Sequence, residues 1–187
     1  MKKKRGDFGY IRAKKRNSLI KTGIMALLGI IVFIIGLLLN HMSNQNLFTV
    51  IAVLFVLPGA KSLVAFIVLF PYQTTSKELY EKACGKLAEG MTLYSDMVIT
   101  SSEKVMHLEL LAVGNGQVIG LAGRKNQDLS YLRKYLRDGV LNWGTDYKVK
   151  VVEGEKNFLA DISGVKRLEV NQEEEEKVKS YLTSLIV

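Results

Sequence analysis

The chain has 187 residues, of which 48% are hydrophobic and 24% charged, and its formal net charge is +8. The apolar residues are concentrated between Leu19 and Phe70, which leaves about 115 residues after this block, enough for one domain with its own core. The single cysteine, Cys84, excludes an intrachain disulfide.

The net charge resides in a basic N-terminal segment, predicted over residues 1–18, and at the start of the apolar block. Residues 1–21 contain nine basic side chains and one acid, Asp7, whereas the other 166 residues carry 17 basic and 17 acidic groups. A high isoelectric point is one sign of nucleic-acid binding, but a basic cluster abutting an apolar span is typical of a topology signal. We therefore do not expect nucleic acid as a partner, and anionic lipid headgroups are the alternative ligand of the cluster.

A first transmembrane helix is predicted over residues 19–40, because Gly23–Leu39 contains no charged or strongly polar side chain. Extended back to Leu19, this helix would measure about 31 Å, which matches a hydrocarbon core of about 30 Å. A cleaved signal peptide is the competing interpretation. It is disfavoured by the length of the span and by the absence of a small-residue cleavage site after it.

A second transmembrane helix is predicted over residues 47–70 and contains Pro58, which should kink it. Lys61 lies in the same span, and an intramembrane lysine is by default a functional candidate. The alternative for Lys61 is a snorkelling side chain, favoured because neither span contains an acidic partner. A further alternative ends the crossing near Ala60 and lays residues 63–70 along the interface.

The loop from His41 to Asn46 contains no lysine or arginine, so the two helices form an antiparallel hairpin with this loop outside. The sequence therefore predicts a multi-pass protein of the cell (plasma) membrane with cytoplasmic N- and C-termini. Residues 72–187 form the predicted cytoplasmic domain, beginning after Pro71.

The first half of this domain is predicted as one helix and three strands. Thr75 and Glu78 form a capping box for a helix that runs to about Glu89. Strands follow at 93–100, 105–113 and 117–123. The last two flank Gly114-Asn115-Gly116, and Asn-Gly between apolar runs is a strong hairpin signal.

The second half continues with a helix over Leu129–Leu141 and a half-buried strand over Tyr147–Glu153. Phe158–Ile162 is ambiguous between helix and strand, and Asn171 is the predicted N-cap of a final helix. The predicted class is therefore a membrane α-helical hairpin plus an α/β (α+β) domain with the order helix-strand-strand-strand-helix-strand-helix.

This element order resembles the core of the restriction-endonuclease-like fold, whose members carry an aspartate on one strand and Glu-x-Lys on the next. Asp96 is the candidate for the aspartate, but residues 117–123 contain no carboxylate. Glu109 lies earlier, and two residues later the sequence has Leu111 instead of a lysine. The resemblance therefore implies an inactive or diverged relative.

The whole chain also resembles uncharacterised bacterial membrane proteins that have a basic N-terminus, a two-helix hairpin and a small α/β domain. The residues that carry this resemblance are the N-terminal cluster, the two spans and the segment from Pro58 to Lys61. It implies a location and a layout, and no activity.

The candidate site residues fall into two groups. His107 and Glu109 share a strand face that could support acid–base chemistry, and with Asp96 they are the catalytic candidates. The candidate lipid or partner contacts are Arg124, Lys125, Arg133, Lys134 and Arg137, together with Lys61. A solvated helix face is the alternative for the five domain residues.

No cofactor motif is present, and one cysteine with one cytoplasmic histidine does not make a zinc site. The favoured hypothesis is a non-enzymatic domain that binds a protein or lipid partner, or a second copy of the chain as a homo-oligomer. The alternative is a membrane-tethered, nuclease-like, metal-dependent hydrolase. A third hypothesis is transport by an oligomer with Lys61 in its pathway.

Overall fold

The computed structural model describes residues 3–41, 43, 46–123, 127–166 and 170–187. The chain divides into two compact units, one formed by residues 1–11 with 72–187 and the other by residues 12–71. The basic segment expected over 1–18 is thus shared between the units, and the division falls after Ile11.

Two helical stretches in the described residues, Tyr10–Leu39 and Leu47–Leu69, are long and apolar enough to cross a membrane. In the most apolar 18-residue segment of each stretch, only 6% and 11% of the segment, respectively, is buried within the structure. The first stretch is a single helix, α1 (Tyr10–Leu39), and it begins nine residues before the predicted start at Leu19. Lysine and arginine have high helix propensity, so the basic residues extend the helix without a break.

The second stretch consists of two helices, α2 (Leu47–Leu54) and α3 (Val56–Leu69), which meet at Phe55. Pro58 lacks a backbone N–H and its ring crowds the carbonyl four residues earlier, at Leu54. The Phe55 N–H instead donates to the Ala52 carbonyl at 3.2 Å, a tighter turn than an α-helical one. The regular helix is therefore interrupted at Phe55, shortly before Pro58, where the sequence predicts a kink.

Small and polar residues let α1 and α2–α3 approach closely. A Cβ on Gly29 would lie 3.3 Å from the Ala52 carbonyl oxygen. The Thr22 hydroxyl donates to the Gly59 carbonyl at 3.4 Å. Asn46 is the N-cap of α2, since its Oδ1 accepts the Thr49 N–H at 2.9 Å. Such contacts are typical of helices paired in apolar surroundings.

The unit formed by 1–11 with 72–187 is an α+β structure with one four-stranded sheet in its described residues. Its elements, in chain order, are α4 (Lys77–Lys86), β1 (Thr92–Thr100), β2 (Val105–Gly114), β3 (Gln117–Ala122), α5 (Leu129–Leu141), β4 (Lys148–Val152), α6 (Glu155–Ser163) and α7 (Gln172–Ser184). The sheet order is β1-β2-β3-β4; β1–β2 and β2–β3 are antiparallel, and β3–β4 is parallel. The predicted order is present as far as β4, but two helices follow that strand where the predicted order has one, because the ambiguous segment Phe158–Ile162 is part of α6.

Helices cover both faces of the sheet. One core cluster joins α5 and α7 to the first face, with Leu132, Leu136 and Val178 at its centre. The second cluster joins α4 and α6 to the opposite face, with Ala83 and Phe158 fully buried. The β-hairpin predicted at Gly114-Asn115-Gly116 is also confirmed, because β2 and β3 pair antiparallel and Asn115 and Gly116 have φ of 53° and 69°.

Helix α4 begins later than predicted, and the Thr75 capping box is wrong. The N-cap is Ser76, whose Oγ accepts the Leu79 N–H at 3.2 Å. The Thr75 hydroxyl is instead used by the sheet, where it donates to the Glu109 carbonyl at 2.8 Å. The helix ends at Lys86, before the predicted Glu89.

Candidate functional site

The sheet is irregular at one place on the neighbouring strands β1 and β2. Asp96 on β1 has a φ of 57°, a left-handed conformation that is rare for non-glycine residues in a strand. On β2 the register with β3 shifts between Leu108 and Leu110, so Glu109 is the extra residue of a bulge. Bulges re-aim side chains and are frequent beside functional sites.

The irregularity reverses the side-chain alternation of both strands. Leu108 and Leu111 pack in the same core cluster although three positions separate them, and Tyr94 and Met97 do the same on β1. In a regular strand, residues three apart point to opposite faces. Because of this distortion, Asp96 and Glu109 do not follow the regular alternation of side chains between the two faces of the sheet.

Asp96 is fully buried, and both of its carboxylate oxygens accept backbone N–H groups. Oδ1 accepts from Thr75 at 2.8 Å, and Oδ2 accepts from Ile11 at 3.2 Å. Ile11 lies in the first turn of α1, whose N–H groups have no partner inside the helix and favour a negative charge nearby. This environment uses the carboxylate as a structural acceptor and does not present it to a substrate.

Glu109 is half-buried and borders a surface cleft of about 560 Å³. The cleft wall also contains Glu153 and Glu155, with Leu79 and Leu121 as apolar lining. Burial, followed by the nearby charges of Glu155 and Asp96, raises the pKa of the Glu109 carboxyl. The cleft is thus acidic, and one of its carboxylates holds its proton to a higher pH than an exposed glutamate does.

His107, predicted to share a strand face with Glu109, is buried. Its ring lies 5.0 Å from that of Tyr72, centroid to centroid, and rests against Gly123. The Gln127 side chain accepts the His107 N–H at 3.0 Å and donates to the His107 carbonyl at 2.8 Å. Gln127 therefore continues the hydrogen bonding of the strand, a role that its sequence position beyond β3 does not signal.

The three catalytic candidates are thus brought to one region but given different surroundings. Asp96 is a buried acceptor, His107 packs against Tyr72, and Glu109 alone among the three borders the cleft. Within the described ranges, no group of three or more His, Cys, Asp or Glu side chains is arranged to hold a metal ion.

The basic residues that form the predicted contact face on α5 have different surroundings in the structure. Arg133 donates through two nitrogens to the Val151 carbonyl, at 2.9 and 2.7 Å, and so fixes α5 to β4. Lys134 and Arg137 are exposed, and Arg137 pairs with Asp138 at 3.6 Å. Arg124 and Lys125 lie outside the described residues, and Lys61 is exposed on α3.

Comparisons of the chain with protein-family models, with curated proteins and with solved structures found no match.

Proposed function

We propose that the chain is a membrane-anchored, non-enzymatic interaction module. In this proposal, residues 12–71 cross the cell membrane of a bacterium twice, and residues 72–187 with the N-terminal segment form a cytoplasmic domain that binds a partner. The observation that carries the proposal is the exposure of the two long apolar helical stretches. Only 6% and 11% of their most apolar segments are buried. Exposed apolar surface of this extent is unfavourable in water and favourable in a bilayer.

Charge supports the cytoplasmic assignment of both termini. Arg12, Arg16 and Lys21 lie in α1 beside its apolar stretch, and the loop from His41 to Asn46 contains no lysine or arginine. Basic residues are retained on the cytoplasmic side, where anionic headgroups attract them by about 1 kcal/mol each. Lys61 is then a residue of the second span that reaches the headgroups with its long side chain.

The single native cysteine makes the topology directly testable. Cys84 is exposed on α4, so a membrane-impermeant maleimide should label it in permeabilised bacterial cells and leave it unlabelled in intact cells. The matched control is Ser43→Cys in a Cys84→Ala chain, which places the thiol in the connecting loop and should be labelled in intact cells. Labelling of Cys84 in intact cells would contradict the orientation, and release of the chain by alkaline carbonate would contradict the membrane spans.

The partner contact is assigned to the exposed basic residues of α5. Lys134 and Arg137 are exposed, although Arg137 pairs with Asp138 at 3.6 Å, whereas Arg133 is used by the Val151 carbonyl. Crosslinking in native membranes followed by mass spectrometry should identify the partner or a second copy of the chain. Lys134→Glu with Arg137→Glu should reduce that crosslink, and Lys148→Glu on β4 is the matched control. An unchanged crosslink in the double variant would remove this face from the proposal.

The hydrolase alternative is supported by a single feature, the acidic cleft beside Glu109. Against it, the Asp96 oxygens accept the backbone N–H groups of Ile11 and Thr75. Calorimetric titration of the full chain in detergent with Mg²⁺ and Mn²⁺ distinguishes the two functions. Binding that Glu109→Gln abolishes would favour the hydrolase, and no heat of binding would favour the interaction module.

A further inference from the structure

The N-terminal residues 3–11 lie along the outer edge of β1, and we refer to them as the strap. β1 is the first strand of the sheet order and has no strand beyond it in the described residues. The Ser95 N–H donates to the Gly6 carbonyl at 2.8 Å, and farther along the edge the Val187 N–H donates to the Val98 carbonyl at 3.1 Å. The strap and the C-terminus together satisfy backbone groups that an edge strand would otherwise expose.

Side chains fix the strap at several other points of the same unit. The Tyr10 hydroxyl donates to the Val187 carbonyl at 2.9 Å. The Phe8 ring stacks on Tyr80 of α4, with centroids 4.8 Å apart. The strap is therefore a specifically packed part of the α/β unit, although 60 residues of chain, 12–71, separate it from the rest of that unit.

Asp96 joins the strap to the chain segment on the other side of residues 12–71. Its Oδ2 accepts the N–H of Ile11, the last residue of the strap, and its Oδ1 accepts the N–H of Thr75. Ile11 and Tyr72 are the residues at which this unit continues into 12–71. The Asp96 carboxylate therefore binds the chain at Ile11, directly before residues 12–71, and at Thr75, shortly after them.

We propose that Asp96 is a clasp that links the docking of the strap to the docking of Thr75, so that release of either segment loosens the other. A buried carboxylate that loses one of two N–H donors is left partly unsatisfied, which disfavours the remaining closed arrangement. The conformation of Asp96 supports this role, because a φ of 57° within a strand persists only where surrounding contacts hold it.

The clasp also reaches the cleft. The Thr75 hydroxyl donates to the carbonyl of Glu109 at the β2 bulge, and the Glu109 side chain borders the cleft. Release of the strap should therefore also loosen Thr75 where it contacts the bulge. The inference concerns contacts within one unit and holds whichever proposed function is correct.

Hydrogen exchange of the full chain in detergent, followed by mass spectrometry, tests the clasp. Tyr10→Phe removes one strap contact without touching Asp96 or Thr75. It should speed exchange at least threefold in residues 3–11 and also in residues 72–76. Asp96→Asn tolerates the left-handed backbone but leaves one acceptor oxygen for two N–H groups. It should speed exchange at least tenfold in both segments.

The matched control is Asp128→Ala, which removes the side chain that caps α5 by accepting the Tyr131 N–H at 3.0 Å. It should speed exchange at the start of α5 and leave both clasp segments unchanged.

Faster exchange of the strap alone in Tyr10→Phe would overturn the proposal. Equal acceleration in β3 would also overturn it, because the variants would then only increase global unfolding. If Asp96→Asn does not fold, Tyr10→Phe and Arg5→Gln still decide the question, since Arg5 contacts the Ser184 carbonyl from the strap.

Discussion

Gly36 of α1 and Phe48 of α2 lie so close that a Cβ on Gly36 would be 2.5 Å from the Phe48 Cβ. Gly36→Ala should therefore separate the two helices or displace the Phe48 ring. Overpacking of this kind costs about 1–3 kcal/mol. We expect a lower thermal unfolding midpoint of the hairpin in detergent, followed by circular dichroism.

Gly23 provides the matched control for this prediction. It lies in the same helix, and a Cβ at this position would have no neighbour within 4 Å. Gly23→Ala should leave the midpoint unchanged or raise it slightly, because alanine has the higher helix propensity. Equal midpoints for the two variants would show that Gly36 does not set the helix spacing.

Gly123→Ala should destabilise the α/β unit. The added Cβ would overlap Nδ1 of His107, whose ring is buried beside Tyr72. We expect the free energy of unfolding to fall by about 1–3 kcal/mol. Gly85→Ala, in α4 with open space around it, should instead raise it by up to about 1 kcal/mol. Chemical denaturation of both variants checks the pair, and an unaltered stability of Gly123→Ala would contradict the packing of His107.

Loss of the hydroxyl should change the stability of the α/β unit differently at two buried tyrosines. The Tyr147 hydroxyl has no hydrogen-bond partner within the described chain, and burial raises the pKa of Tyr147 to about 12. Tyr147→Phe should therefore be neutral or stabilising by up to about 1 kcal/mol. Tyr10→Phe loses the bond to the Val187 carbonyl and should destabilise by about 1 kcal/mol. Equal losses in the two variants would refute this assignment.

Glu109 should make the stability of the α/β unit depend on pH. The pKa of its carboxyl in the folded protein lies above the ordinary value of 4.5. Well below pH 4.5 the group is protonated in both states and contributes nothing to the pH dependence. As pH rises from there, the unfolded chain releases its proton first, so stability falls until the raised pKa is passed.

Glu109→Gln should remove this fall and increase stability at neutral pH. Solvent screens the half-exposed carboxylate, so the gain should be small, roughly 0.5 kcal/mol. Denaturation between pH 4 and 8 measures the effect, and Glu103→Gln on the exposed β1–β2 turn is the matched control. A pH profile of Glu109→Gln identical to that of the unaltered chain would contradict the burial of this group.

The local patterns of the sequence predicted most of the secondary structure of the α/β unit. Helix α5 has the predicted bounds, and Asn171 caps α7 by accepting the Glu173 N–H at 3.0 Å. These signals succeed because a cap, a turn or an amphipathic stripe is formed by residues that are near one another in the chain.

Roles that depend on distant residues were not predictable in this way. Thr75 fits the sequence pattern of a helix cap, yet Ser76 is the cap because Asp96 and Glu109 bind Thr75. Arg133 fits a solvated basic face, yet it binds the Val151 carbonyl. In each case the residue contacts a group from another element that is distant in the sequence.

Sequence by itself determined the two apolar helices, the interruption near Pro58 and the order of helices and strands as far as β4, since these depend on composition and short-range periodicity. Only the tertiary structure decided that the N-terminal strap belongs to the α/β unit and that Asp96 holds Ile11 and Thr75 together. The physical reason is that a buried carboxylate takes whichever N–H donors the folded chain brings to it. Those donors lie 85 and 21 residues away in sequence, and no local pattern records them.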